Sequence, residues 1–97
     1  MPAAERVFWR SDTATVWIGY AEGGELVFTG WDRVHLDGYE YQITVATDQF
    51  DKIRVALSAE PTADVLDLVC AHVEAIMAPG ERSWLADRGI ECGFVSY

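Results

Sequence analysis

An α+β domain is predicted, with a mainly antiparallel sheet of about four to five strands and two to three helices packed on one face. Three observations carry this expectation. The first half of the chain is a series of short β-prone runs separated by turn residues. The hydrophobic period then changes from two to 3.6 after Asp48, and one more strand-like run closes the chain. Ninety-seven residues is the usual size of one domain, so residues 1–97 are read as a single unit.

The elements follow in order. Val7-Phe8-Trp9-Arg10 is a short strand that ends at the turn signal Ser11-Asp12. Thr15 to Tyr20 and Leu26 to Thr29 flank the acidic glycine turn Glu22-Gly23-Gly24-Glu25, which predicts a hairpin with a longer loop. The strongest strand is Tyr39 to Ala46: Tyr39, Tyr41, Ile43 and Val45 form one face, and Glu40, Gln42 and Thr44 the other. Asp48 is the expected N-cap of a helix carrying Phe50, Ile53 and Leu57 on one side, which stops before Pro61. Thr62 is the expected cap of a second, continuous helix to Met77, ended by Pro79-Gly80. Val65, Leu66, Val69, Val73, Ile76 and Met77 fall on its apolar arc, with Glu60, Asp64, Asp67 and Glu74 opposite. A third helix, Glu81 to Arg88, ends at Gly89, and Ile90 to Val95 is the last strand, either central or at an edge.

Charge narrows the partner class. Seven basic residues face sixteen acidic ones, for a formal net charge of −9. Nucleic acid and anionic lipid are bound through Lys and Arg, so neither is an expected partner. A basic protein is, and solubility alone is the plainer account of the same charge. The bias of Arg over Lys, with Lys52 the one lysine, fits a GC-rich bacterial genome. Met1-Pro2-Ala3-Ala4-Glu5-Arg6 shows no charged-then-apolar signal pattern, and no run is long enough to span a membrane, so a cytoplasmic protein is expected. Cys70 and Cys92 are then expected to be reduced, small core residues.

Residues with chemical potential are few. Cys70 and His72 point about 200° apart on one helix and cannot form a dyad, so His72 is expected to be part-buried and hydrogen-bonded. The stretch Asp32-Arg33-Val34-His35-Leu36-Asp37-Gly38 holds two carboxylates and a histidine but matches no metal-ligand spacing. Asp37-Gly38 also suits an ordinary turn. No nucleophile elbow, phosphate loop or dinucleotide fingerprint is present, and no catalytic residue, metal or cofactor is expected. Trp17 shares a strand face with Thr15 and Gly19, opposite Val16 and Ile18, and Trp31 is out of phase with Leu26 and Phe28. Both tryptophans are therefore expected on the open sheet face. They are either a binding surface or a second, smaller core capped by the N-terminal strand or by Trp84.

Tyr39-Glu40-Tyr41 before an Asp-started helix, and Ser83-Trp84-Leu85 through Gly89-Ile90, resemble segments of small actinobacterial proteins of unassigned function. Cys92-Gly93-Phe94 departs from that pattern. In size and acidity the chain is also similar to bacterial immunity proteins that neutralise toxins.

Three readings stay open. The first is a protein-binding module of immunity or inhibitor type, acting on a basic partner through Asp64, Asp67 and Glu74, then Trp17, Trp31 and Glu40. The second is a ligand-binding domain or enzyme with a pocket at Asp32, His35, Asp37 and Tyr41. The third is a homodimer through the sheet.

Overall fold

The computed structural model describes residues 5–33 and 39–96. His35 and Asp37 of the second reading lie outside the described residues, as does the turn at Asp37-Gly38. Five strands, β1 (Glu5–Arg10), β2 (Ala14–Tyr20), β3 (Leu26–Asp32), β4 (Tyr39–Val45) and β5 (Gly93–Ser96), form one antiparallel sheet in the order β1-β2-β3-β4-β5. Four helices, α1 (Phe50–Ala56), α2 (Val65–Ala71), α3 (Val73–Met77) and α4 (Glu81–Asp87), lie between β4 and β5. The fold is α+β, and β5 takes the edge beside β4.

Strand parity decides which side is covered. Val16 and Ile18 of β2, Leu26 and Phe28 of β3, and Ile43 and Val45 of β4 are buried with Ile53, Val65, Leu66, Val69, Ile76, Trp84 and Leu85 from the helical half. Each is apolar and of the same parity on its strand, so burial against the helices is the main stabilising term of the fold. Trp84 belongs to this main core, which removes it as a cap for a second one. In β1 the pairing slips by one residue between Val7↔Trp17 and Trp9↔Val16. This bulge lets both Phe8 and Trp9 pack on the core, where simple alternation would allow one.

The helical half differs from the expected one in three places. Asp48 caps nothing; Thr47–Gln49 is a turn of 3-10 helix leading directly into α1, and no side chain caps that start. α1 stops before Pro61 as expected: its last residue is Ala56, with Leu57 the C-cap, and Ser58 beyond it takes a left-handed φ of 55°. The Ala59 N–H donates to the Arg54 carbonyl at 2.8 Å and the Ser58 N–H to that of Val55 at 3.1 Å, a Schellman ending. Gly89, at φ 69°, closes α4 with the same pair of bonds, from Ile90 to Leu85 and from Gly89 to Ala86.

The second and third differences lie in the second helix, which is neither capped by Thr62 nor continuous. Asp64 caps α2, its Oδ2 accepting from the Asp67 N–H at 2.9 Å. At His72, φ −120° and ψ 28° break the helix, so that α2 packs on β2 and α3 on β1. The acidic side drawn along a single helix is thereby divided: Asp64 is a cap, Asp67 lies on α2 and Glu74 on α3. His72 is half-buried, and its Nδ1–H donates to the Leu68 carbonyl at 3.0 Å. No helix among the described residues is long and apolar enough to cross a membrane.

Candidate functional site

No helix among the described residues covers the second face of the sheet, and the strand registers fix its surface. Its middle row runs Val7, Trp17, Thr29, Gln42, Val95, and the next runs Arg10, Thr15, Trp31, Glu40. Trp17 pairs across with Thr29, so Trp31 is its diagonal neighbour, within reach of a long aromatic side chain. Val7, Trp31 and Val95 are 46%, 39% and 52% exposed; of the four large apolar residues most exposed among those described, only Val55 lies elsewhere. A shallow depression of about 390 Å³ is lined by Glu5, Trp17, Thr29, Trp31 and Glu40. An apolar centre with carboxylates at its rim has the anatomy of a protein-binding patch.

The sequence-derived residues fall into separate groups. Trp17, Trp31 and Glu40 come together on this face. Asp64, Asp67 and Glu74 sit in the helix layer on the other side of the sheet, all exposed. Two of these three are engaged within the fold. Tyr20 donates its hydroxyl proton to Asp64 Oδ1 at 2.7 Å and accepts from the Leu66 N–H at 3.2 Å, which ties β2 to the start of α2. The Tyr20 hydroxyl, buried and donating to Asp64, is pushed up to about 12. Asp64 is held below the usual carboxylate range: burial works against this, and the Tyr20 and Asp67 hydrogen bonds outweigh it. Asp67 pairs with Arg6 of β1 at 2.5 Å.

Asp32 and Tyr41 of the pocket reading are brought together. They line one recess of about 300 Å³ with Trp9, Ala14, Trp31, Tyr39 and Met77, so Trp31 borders both this recess and the open-face depression. The Tyr41 ring lies against Gly30, its cross-strand partner, where a Cβ would collide with the ring's Cζ and Cε1 and with its hydroxyl oxygen. Its hydroxyl donates to Glu81, a carboxylate only 5% exposed at the start of α4, and burial raises the Tyr41 pKa strongly. Arg82 stacks on the Phe94 ring at 4.0 Å and Arg88 on Trp84 at 4.4 Å. Cys70 and Cys92 are free and half-buried, and burial pushes both thiols up, away from the reactive thiolate. Among the described residues, no three His, Cys, Asp or Glu side chains converge as a metal site would require.

Glu5, Val7 and Val95 of the open face, and Trp9, Tyr39 and Met77 of the recess, were missed as site residues by the sequence reading. Parity with Trp17 could have found Val7; the bulge hid the placement of Trp9. Comparison with known proteins finds no matching family model, no similar curated protein and no similar solved structure.

Proposed function

We propose that this chain is a protein-binding module, of immunity or inhibitor type, that presents its open sheet face to a basic partner. The observation that carries the reading is one uncovered sheet face holding Val7, Trp17, Trp31 and Val95 between Glu5 and Glu40. Trp in a contiguous patch supplies large contact area at low entropic cost, and tryptophans dominate binding energy at such sites. The net charge of −9 speeds encounter with a basic surface and disfavours pairing of two identical acidic copies. Asp64, Asp67 and Glu74, on the far side, contribute to that long-range field rather than to direct contact.

The test begins with capture by tagged protein at low and moderate salt. Binding of the purified partner to Trp17→Ala, Trp31→Ala and Glu40→Lys variants then follows. Loss of an anchoring tryptophan costs about 2 kcal/mol or more, some thirtyfold in affinity. A partner bound equally well by all three variants would refute the proposal. A concentration-dependent doubling of mass in light scattering, abolished by the same substitutions, would assign the face to self-association instead.

A further inference from the structure

We propose that the shallow cleft lined by Asp51, Lys52, Val55, Ala56 and Arg88 binds a small amphipathic carboxylate, a monoanion with a short hydrocarbon body. The cleft lies in the helix layer, shares no lining residue with the open-face depression, and is independent of the protein-binding reading.

Helical spacing builds its floor. Lys52, Val55 and Ala56 fall at i, i+3 and i+4, on the side of α1 away from Phe50, Ile53 and Leu57, which pack in the core. Val55 is 78% exposed, the highest value among the large apolar side chains described. Its isopropyl group and the Ala56 methyl give the cleft an apolar base. The volume of about 390 Å³ is within the range of small-molecule sites.

The charges select the ligand. Asp51 is engaged, its Oδ1 accepting from Arg54 Nη1 at 2.8 Å. Lys52, Arg54 and Arg88 then stand against one carboxylate, an excess of positive charge on a chain whose formal net charge is −9. Among the described residues, neither Lys52 nor Arg88 has a carboxylate within ion-pair distance. Both donate to backbone carbonyls at the end of α4: Lys52 Nζ to Gly89 at 3.3 Å, and Arg88 Nη1 to Trp84 at 3.3 Å. These bonds bring the two cationic heads to one helix end, and the Trp84 ring holds the Arg88 guanidinium at 4.4 Å. Each head spends one donor, which leaves two on the ammonium and four on the guanidinium. The carbonyls that close α1 and α4 are paired with these heads and with the Ser58, Ala59, Gly89 and Ile90 N–H groups, so the spare groups here are donors. A carboxylate can accept from both heads while its hydrocarbon body covers Val55 and Ala56. A multiply charged anion is disfavoured by the field of the acidic chain, and a neutral apolar molecule leaves the spare donors unused.

Hexanoate is the probe, followed by amide shifts in NMR titration of the full chain at fixed pH and ionic strength. One control is hexanamide, with the same body and no charge; the other is propanoate, with the same charge and half the body. Hexanoate should shift the amides of Lys52, Val55, Ala56, Arg88 and Gly89 saturably. Hexanamide should bind about fivefold more weakly, the scale of an exposed charge pair, and propanoate about tenfold more weakly for its missing methylenes. Lys52→Gln and Val55→Ser, both at exposed positions, should each weaken hexanoate about threefold. Trp17→Ala should leave it unchanged, which separates this site from the open face. Equal affinity for hexanoate and hexanamide would overturn the proposal, as would an unaltered affinity in Lys52→Gln. So would the absence of any saturable shift, or shifts centred on Trp17 and Trp31. Sedimentation with phosphatidylglycerol vesicles without binding of free hexanoate would overturn it as well.

Discussion

Gly30→Ala is the most informative single change to the fold. A Cβ at position 30 would lie less than 3.0 Å from the Cζ, Cε1 and hydroxyl oxygen of Tyr41. The ring has little freedom to withdraw, since it packs between Tyr39 and Phe94 at centroid distances of 5.7 and 6.0 Å and its hydroxyl is bound to Glu81. If the ring stays, the overpacked contact costs about 1–3 kcal/mol. If it swings away, Glu81 is left in the core without its donor, at about 1.5–3 kcal/mol for a bond to a charged group. Either route costs about 2 kcal/mol, which for a chain of this size lowers Tm by about 8–16 °C. Urea denaturation of a double-mutant cycle with Tyr41→Val isolates the contact. Without the ring, Gly30→Ala should be neutral or stabilising by about 0.5 kcal/mol, because alanine restricts the unfolded chain. An equal cost in both backgrounds, within about 0.5 kcal/mol, would refute the packing argument.

Other substitutions separate structural from binding residues. Ser58→Gly should stabilise by about 0.5–1 kcal/mol, read as a higher urea midpoint, since glycine takes the left-handed position without a Cβ clash. Asp64→Ala should cost about 1 kcal/mol as a lost cap and free the Tyr20 hydroxyl, whereas Asp64→Asn retains most of the stability. Trp84→Ala should cost about 3–5 kcal/mol, while Trp31→Ala should move Tm by no more than a few degrees; a large loss at Trp31 would place it in a core instead. The folded state holds the Tyr20 proton more tightly than the unfolded chain, so its stabilisation is complete below about pH 10 and is lost as pH rises toward 12. Thermal melts between about pH 9 and pH 11 should show this decline, flattened in Tyr20→Phe, with the Tyr41 contribution remaining in the same direction.

Alternation made the sheet legible. The opposed parities of Val16, Ile18 and Trp17, and of Tyr41 and Gln42, place side chains on faces without reference to any partner strand. The stop at Gly89 was legible for a local reason too, since a glycine there suits the left-handed ending of α4. Tertiary packing decided what was not. Nothing between Ala71 and Val73 breaks helical periodicity, and the chain bends at His72 because α2 and α3 pack on different strands. Thr62 and Asp64 are both good caps in sequence, and the Tyr20 hydroxyl from a distant strand favours Asp64. Glu81 resembles any acidic first-turn residue until Tyr41 arrives from β4. Gly30 did carry a signal, because a lone glycine within a strand often marks a close approach. The open-face group of Trp17, Trp31 and Glu40 follows from strand parity, and the Trp9 wall of the recess from a bulge that parity does not reveal.

The meander has a consequence for how the protein is made. Each strand from β1 to β4 pairs with the one just synthesised, so hairpins can zip up sequentially and need only short loops closed. The four-stranded sheet can therefore exist on the ribosome before a single helix has emerged. At that stage Ile18, Phe28 and Ile43 face water, and the growing edge of β4 has no neighbour. The second half of the chain then acts as a cover for a sheet already formed, and β5, arriving last, seals the β4 edge. A ribosome pausing between Val45 and Phe50 would present the nascent chain at its most adhesive, and the carboxylates at Glu5, Glu22, Glu25 and Glu40 would keep neighbouring chains apart by mutual repulsion.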